Sequence, residues 1–558
     1  MWRTRASRDT WLFWLLALLV LGAGFGLRDP WPADEPRFAL VAKQMVESGE
    51  WLFPHRGHEL YPDKPPLFMW LQAATYQLVG SWRVAFLLPT LLASLGTLWC
   101  VRDLGRRLWT RRVGLYAGYA LLFALQFAYQ SRKAQIDPLV TFWITFGNYA
   151  FLRFLETRAD AEVRWRWWVL GWAAAGLGTI TKGVGVLALL MVAPALFAAA
   201  RGWPRLRAPL RDWRTWLGPL AFRAAVGAWL VPMVLAATAH PDPAYRAYLD
   251  DILFRQTAGR YAQSWDHHQP PWYHLEVMLT MWLPTMLALP WAIPAWRRRL
   301  RRRDARYLLP LAWWGLVLLF FSIPDGKRDV YILPALPMAC LALAPLLPGI
   351  VRRAGAQRLA LGFTMLIAVL SLAAGALMLA GTPGFERNLV VDRGLDWAQA
   401  RAGAWLLLAI GGWAVACIAW GRRARAVPAM LAMLAGTWVA YGLVAYPLLN
   451  DSSSSASLMR KAGQRIGPDA ELGLVAWREQ NLLMADRPAE TFGFRETTQE
   501  QLRRGAAWQR QAPARRWLLV QGNALEACVD RRAAQSLGGA NRRQWWLLPA
   551  AATAACVP

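Results

Sequence analysis

Long apolar segments recur along most of this chain, and they limit the folds it can adopt. A helix that crosses a bilayer needs about 20 mostly apolar residues, because roughly 30 Å of hydrocarbon is crossed at about 1.5 Å per residue. The sequence predicts thirteen such spans: 11–27, 82–101, 113–130, 138–155, 167–180, 183–200, 217–239, 275–295, 307–323, 331–350, 359–380, 403–420 and 428–449. Apolar residues make up 56% of the 558 residues and charged residues 18%, so a soluble enzyme would expose much apolar surface. We therefore predict an all-α polytopic membrane protein.

The net charge of +28 is distributed in a way that predicts membrane orientation. Alternate connections are rich in arginine, and the seven of them carry 31 Lys and Arg against 7 Asp and Glu. Short basic loops stay in the cytoplasm by the positive-inside rule. We therefore expect the N-terminus in the cytoplasm and the C-terminus on the opposite side of the membrane. Because the charge is spread over seven loops and forms no single basic patch, a nucleic-acid partner is excluded.

Two regions follow from the same pattern, a membrane region of residues 1–449 and a more polar tail of residues 450–558. The membrane region has two long outer loops, 28–81 and 240–274. The tail opens on Asp451–Ser455, which is typical of a linker. Alternating strand-like runs and helical patterns in the tail predict a small α/β domain outside the membrane: strands at 472–477 and 517–521, helices near 453–466, 497–509 and 524–537. Cys528 and Cys556 could form a disulfide there.

The outer loop 28–81 carries the first candidate functional residues. Apolar residues at helical spacing from Phe38 to Met45 predict an amphipathic helix, and Asp34 stands at its N-terminus, where carboxylates are favoured. Asp34 could therefore be a helix cap or a functional acid. Asp63 and Lys64 precede two prolines and could be an exposed charge pair or part of a site.

Further candidates lie on the same predicted side of the membrane. Asp137 begins a span and could be a helix start or a functional acid, and Lys182, which interrupts an apolar hairpin, could simply extend its amine to the interface. His268 could be a surface histidine, and Asp325–Tyr331 could be a polar turn. Taken together, however, acids, a histidine and several cations on one membrane face could bind a phosphate-linked lipid and stabilise a phosphate leaving group.

At these positions the chain resembles the multi-spanning GT-C glycosyltransferases that use polyprenyl-phosphate sugars. The resemblance is greatest to the bacterial transferases that move 4-amino-4-deoxy-L-arabinose from undecaprenyl phosphate to lipid A, and less to the protein O-mannosyltransferases. The matching segments are Asp34-Glu35-Pro36-Arg37, Tyr61-Pro62-Asp63-Lys64-Pro65, Asp137-Pro138, Thr181-Lys182-Gly183, Arg260 with His268, Pro271-Trp272-Tyr273, and Gly326-Lys327 with Tyr331-Ile332-Leu333. In this chain Asp63 replaces the family's glutamate, and Arg328-Asp329 replace its Leu-Pro.

The resemblance implies an inverting transferase that moves a sugar, expected to be 4-amino-4-deoxy-L-arabinose, to lipid A phosphate at the periplasmic face of the bacterial inner membrane. It also implies that the N-terminus is cytoplasmic and the C-terminal domain periplasmic. It assigns catalytic roles to Asp34 and Asp137. The residues expected to bind the donor phosphate are Lys64, Lys182, Arg260, Lys327 and Tyr331. It also implies one divalent metal ion, zinc or similar, held by Asp63 and His268, although two protein ligands make a weak site.

Three other functions remain open on the sequence, and the third, a catalytically inactive lipid-binding scaffold, is disfavoured because the acids Asp34 and Asp137 are intact. The first is transfer of a hexose from a polyprenyl phosphate to another envelope glycan or to protein. The second is a lipid or sugar transporter without catalysis. A transporter is expected to carry polar groups through the middle of the bilayer, whereas here they gather at its outer boundary.

Overall fold

The computed structural model describes residues 5–155, 163–203, 212–259, 267–381, 384, 395–421 and 425–556. This part of the chain is mostly helical. Seven helical segments in it are long and apolar enough to cross a membrane: Trp82–Leu108, Gly183–Ala200, Trp213–Ala239, Ala305–Ser322, Ala354–Leu379, Trp397–Gly421 and Ala426–Ser453. The pair Tyr273–Met281 and Thr285–Arg301 is bent by 95° and would make an eighth span if it crosses as one. The protein is therefore a multi-spanning membrane protein, as predicted.

The other predicted spans fall on shorter or more polar helices. These are Arg5–Gly22, Arg111–Leu122 with Leu125–Gln130, Ile136–Leu155, Trp165–Thr179 and the apolar segment Asp329–Leu343. Prolines, glycines and buried polar residues interrupt or shorten them; Asp137 and Asn148, for example, lie within Ile136–Leu155. The number thirteen therefore stays a prediction.

The outer loop 28–81 folds around the predicted amphipathic helix, which runs from Glu35 to Ser48. Its apolar stripe is buried, including Phe38 and Met45, so the predicted spacing is confirmed. Gly49 ends the helix with φ +75°, a left-handed conformation that glycine adopts without a steric penalty. A two-stranded antiparallel ribbon, His55–Arg56 with Glu59–Leu60, and the helices Leu67–Val79 and Trp82–Ala85 follow.

The second outer loop, 240–274, is described at both of its ends. It begins with the α-helix Pro243–Asp250 and continues as the π-helix Asp251–Gly259. It then continues from His267 into the bent helix pair. Arg260, which the resemblance assigned to the donor phosphate, lies outside the described residues.

The tail contains a five-stranded mixed sheet with helices packed on it. In spatial order the strands are Ala489–Thr491, Glu471–Val475, Arg516–Gln521, Arg543–Leu548 and Gln535–Ala540. The first three are parallel and the last two antiparallel. The accompanying helices are Ala456–Ile466, Glu479–Leu483 and Thr498–Arg510.

Two predictions about the tail are wrong. The helix expected near 524–537 does not form; Gln535–Ala540 is instead a strand, because a turn at Asn541 and Arg542 with positive φ pairs it with Arg543–Leu548. The linker expected at Asp451–Ser455 is also absent. The helix Tyr446–Ser453 crosses the predicted boundary, Ser454 and Ser455 are buried, and Ala456 begins the next helix.

The tail packs directly against the outer loop 28–81. Their apolar side chains form one buried cluster that includes Phe38 and Phe68 from the loop and Leu472, Leu474 and Trp545 from the tail. A disulfide joins Cys528 to Cys556 beside a second, smaller apolar cluster within the tail. The apolar core thus continues from the membrane region into the tail.

Candidate functional site

Asp34 lies at the entry to the helix Glu35–Ser48, but its side chain makes no capping hydrogen bond. The carboxylate instead accepts hydrogen bonds from Gln135 Nε2 at 2.9 Å and from Arg328 Nη2 at 3.0 Å. It also forms an ion pair with Arg37, one turn along the helix. The predicted helix-cap role is therefore not what this side chain performs.

The charges around Asp34 keep it ionised. Burial alone would raise the pKa of Asp34, but Arg37, Arg328 and Lys182 together hold it below its ordinary value of 3.8. Burial alone would lower the pKa of Arg328, but the nearby carboxylates Asp34 and Asp137 raise it overall. Arg328 thus pairs with Asp34, and the charge of Asp137 acts on it as well.

Asp137 is paired with Lys182. The Lys182 Nζ lies 2.6 Å from the Asp137 carboxylate, and the side chain of Asp137 is 9% exposed. Lys182 reaches it because the helix Trp165–Thr179 ends just before, and Gly183 starts a tighter helical segment. The same Lys182 Nζ is 4.9 Å from the centre of the Tyr331 ring, which is within the range of a cation–π contact.

Lys327 joins two loops of the site and is buried, with 2% exposure. Its Nζ donates to the Gln269 carbonyl at 3.1 Å, and its backbone N–H donates to the His267 carbonyl at 2.9 Å. Gly326 pairs with His268 in an isolated antiparallel bridge. The predicted phosphate ligand Lys327 thus also holds the loop that carries Arg328 and Tyr331.

Asp63 and Lys64 form a neighbouring charged group. Arg56 Nη1 lies 3.6 Å from Asp63 Oδ2, and Arg495 Nη2 from the tail lies 3.5 Å from Oδ1. The Lys64 Nζ donates to the Asp63 carbonyl at 2.8 Å. This group adjoins that of Asp34 through Arg37: burial lowers the pKa of Arg37, but Tyr61, Asp34 and other neighbouring acids raise it overall.

The predicted metal site fits these surroundings poorly. Each oxygen of the Asp63 carboxylate faces a guanidinium group, which would repel a cation. Among the described residues, no three His, Cys, Asp or Glu side chains are placed to hold a metal ion. Metal binding by Asp63 and His268 therefore stays a prediction, and no chemical step here is derived through a metal.

A buried ion pair behind Asp34 connects the elements that carry the two acids. Arg28 donates to the two oxygens of Glu35 at 2.5 and 2.7 Å, and to the Arg132 carbonyl at 3.0 Å. Glu35 in turn accepts from the backbone N–H groups of Trp31 and Ala134, each at 2.8 Å. Three chain segments therefore meet at one carboxylate, which adjoins Asp34 in sequence.

The structure thus brings together Asp34, Asp137, Lys182 and Tyr331, and places Asp63 and Lys64 next to them. The sequence interpretation missed three contributors to this group: Arg37, Gln135 and Arg328. Arg37 and Arg328 lie inside motifs that the sequence analysis had singled out. Gln135 carries no comparable signal, since only the fold brings it to Asp34.

Comparison with known proteins shows which proteins share the sequence pattern and the fold of this chain. The family model described as dolichyl-phosphate-mannose-protein mannosyltransferase matches residues 63–229. The crystal structure of ArnT from Cupriavidus metallidurans bound to undecaprenyl phosphate superposes with a TM-score of 0.73 at 20% identity, covering 96% of this chain and 97% of that one. The chain therefore has the fold of that membrane protein.

The sequence relatives identify the family. An undecaprenyl phosphate-α-4-amino-4-deoxy-L-arabinose arabinosyl transferase from Pseudomonas aeruginosa is 30% identical over 460 residues, 79% of this chain and 76% of that one. One from Pectobacterium carotovorum is 31% identical over 382 residues, and the match spans 65% of that relative's length, less than two thirds. The chain belongs to the family of undecaprenyl phosphate-α-4-amino-4-deoxy-L-arabinose arabinosyl transferases, which confirms the resemblance seen in its motifs.

Proposed function

We propose that this protein is an inverting glycosyltransferase. It moves 4-amino-4-deoxy-L-arabinose from undecaprenyl phosphate to a phosphate of lipid A at the periplasmic face of the inner membrane. The observation that carries this proposal is the convergence of Asp34, Asp137, Lys182 and Arg328 in a chain of this family. Charged groups of both signs, held at fixed distances, suit a reaction in which charge moves from one phosphate to another.

The reaction breaks one bond and forms one. An oxygen of the acceptor phosphate attacks the anomeric carbon, and the bond from that carbon to the donor phosphate oxygen breaks with its electron pair. Undecaprenyl phosphate leaves, and the configuration at the anomeric carbon inverts. A phosphate acceptor is already ionised near neutral pH, so the acids need not remove a proton from it.

The residues divide the work according to their charge. Lys182 and Lys64 bind the donor phosphate and stabilise the negative charge that grows on it, because an ammonium group carries a positive charge and three N–H donors. Lys327 holds the neighbouring loop, and Tyr331 lies against Lys182. Asp34 and Asp137 orient the acceptor and the amino group of the sugar, and Arg328 and Lys182 hold these carboxylates in position.

The experiment that tests this function has a cellular and a purified part. Mass spectrometry of lipid A from cells with and without the protein should show an added aminoarabinose only when it is present. In detergent, Asp34→Asn should abolish transfer from an undecaprenyl-phosphate sugar, while Arg503→Ala, an exposed arginine of the tail, should leave it unchanged. Unchanged lipid A, or an Asp34→Asn enzyme with activity within about threefold of the parent, contradicts the proposal.

A second candidate function is transfer of a hexose to another glycan or to protein. The match of residues 63–229 to the mannosyltransferase family model favours it. The same mass spectrometry, extended to other envelope glycans and to glycopeptides, separates the two, because only one class of product should depend on the protein.

The proposal includes a topology of thirteen spans with residues 450–558 as an α/β domain in the periplasm. Between loop 28–81 and the tail, the eight spans found by length and composition and the four shorter helical segments make twelve crossings. An even number returns the chain to the side on which it started, which agrees with the packing of the tail on loop 28–81. The helix Arg5–Gly22 is the thirteenth span.

A further inference from the structure

Phe494 of the tail covers a buried arginine of the outer loop. The guanidinium carbon of Arg56 lies 3.7 Å from the centre of the Phe494 ring, and Arg56 is 5% exposed. The backbone N–H of Phe494 donates to Glu59 Oε1 at 2.8 Å. Cation–π contacts strengthen when water is excluded, so this contact fixes the ribbon His55–Leu60 to the tail.

The approach of the tail to the ribbon leaves little free space. Gly57, at the ribbon turn, has φ +68°, and a Cβ there would lie 3.0 Å from Thr491 Oγ1 of the tail. This part of the ribbon therefore packs against the tail strand Ala489–Thr491 and the residues that follow it.

Charged groups continue the same contact toward the site. Arg56 Nη1 lies 3.6 Å from Glu479 of the tail and 3.6 Å from Asp63. Arg495 of the tail lies between Asp63, at 3.5 Å, and Asp251, at 3.4 Å. Asp63 is thus held from two sides, and its carbonyl accepts the hydrogen bond from Lys64.

A buried hydroxyl next to this contact indicates where a ligand oxygen would bind. Tyr61 has 0% exposure, and its hydroxyl has no hydrogen-bond partner among the residues that the structure describes. Burial raises the pKa of Tyr61, and the nearby charges of Arg37, Asp63 and Arg56 also act on it, so the hydroxyl lies within the charged group. Buried hydroxyls nearly always have a partner, and a polar ligand can supply one.

We propose that Phe494 and Arg495 of the tail are positioning residues of the donor site. They hold Asp63, and through it Lys64, so that the ammonium and the Tyr61 hydroxyl receive the phosphate of the lipid donor. This inference rests on the proposed function and adds that the tail is required for full binding of the lipid donor. Neither residue takes part in bond breaking, so their loss weakens donor binding and leaves the chemical step unchanged.

The test compares Phe494→Leu, Arg495→Ala and Arg495→Lys with Arg503→Ala, a matched exposed arginine in the same tail that pairs with Glu500. The probe is undecaprenyl phosphate added to the full-length protein in detergent, and its Kd is measured from the shift in thermal unfolding. We expect Phe494→Leu and Arg495→Ala to raise Kd and donor KM about three- to tenfold, with kcat within about twofold of the parent. Arg495→Lys keeps the charge and should recover most of the affinity.

The outcomes separate this inference from the function on which it rests. If the parent binds and transfers but both substitutions leave Kd and KM equal to those of Arg503→Ala, the positioning role is overturned and the proposed function stands. If kcat falls while KM is unchanged, the role is also overturned. If the parent itself does not bind undecaprenyl phosphate, the proposed function is wrong, and the inference fails with it.

Discussion

At the scale of single residues, the cations around Asp34 set its charge state. Its pKa lies below 3.8 because Arg37, Arg328 and Lys182 outweigh the effect of burial. A carboxyl with a lowered pKa contributes stability that is present above its unfolded pKa and is lost as the pH falls through the folded value. Asp34 is therefore ionised throughout the neutral range, and we expect no loss of activity from its titration there.

Arg328→Ala should move this titration toward neutral pH. The guanidinium of Arg328 lies 3.0 Å from Asp34 and lowers its pKa. Once it is removed, the effect of burial is less strongly opposed, so the pKa of the carboxyl rises. The acid limb of kcat/KM, measured between about pH 4 and 8, should then lie at higher pH than in the parent. Arg503→Ala serves as the control for a lost exposed charge, and a profile for Arg328→Ala that superimposes on the parent's would contradict the expectation.

A second residue-scale prediction concerns Asp63. Because Arg56 and Arg495 already face both carboxylate oxygens, we expect a chelator to leave transfer within about twofold of the untreated rate. Metal content of the purified protein and turnover before and after treatment with a chelator check this. A loss of activity that zinc restores, and that Asp63→Asn reproduces, would establish the metal site that the family resemblance implies.

At the scale of elements, the buried pair Arg28–Glu35 holds the start of one helix against the turn before another. Both side chains are almost fully buried, and Glu35 also binds the backbone of Ala134, three residues before Asp137. Removing one partner of a buried pair leaves an unpaired charge, which costs about 3–5 kcal/mol. Arg28→Ala should therefore lower the midpoint of thermal unfolding and also lower kcat, because the acids lose their relative placement.

The control for this prediction lies on the same helix. Lys43 and the exposed Glu47 form a surface pair, with 3.7 Å between nitrogen and oxygen, and Glu47→Gln should cost no more than about 0.5 kcal/mol. Combining Arg28→Ala with Glu35→Gln should cost less than the sum of the two single changes, since the unpaired charge is gone. Additive effects would show that the two residues act independently.

The same element shows what local sequence can predict. The spacing of Phe38 to Met45 predicts the helix, because helical periodicity is a property of a short segment. The partners of Asp34 and Glu35 are Arg328 and Ala134, which no short-range pattern connects to them. The tail gives a similar lesson: the run 524–537 reads as helical in isolation, but pairing with Arg543–Leu548 makes its end a strand.

At the scale of the whole molecule, the sequence predicts the class of protein better than it predicts the number of spans. Apolar composition and charge asymmetry are summed over many residues, so errors at single positions cancel. The number of spans depends instead on segments such as Trp165–Thr179 and Asp329–Leu343, which are too short to be assigned by length. Contacts between distant parts of the chain supply the missing constraint, as the packing of Phe38 and Phe68 against Trp545 does here.

These contacts lead to the last prediction, which concerns orientation. The tail packs on loop 28–81 and so lies on the same side of the membrane, and by the positive-inside rule we expect the basic connections on the other side. A reporter that is active only in the periplasm should therefore be active when fused after Pro558 and inactive when fused after Arg303, within the basic loop 297–306. A reporter that is active only in the cytoplasm should give the opposite result at both points. If the fusion at Pro558 is cytoplasmic, either the helix Arg5–Gly22 does not cross or the whole arrangement is inverted. The Arg303 fusion is periplasmic in both cases, because an odd number of crossings separates that loop from the tail. A reporter fused before the first helix distinguishes them, since the N-terminus is cytoplasmic in the first case and periplasmic in the second.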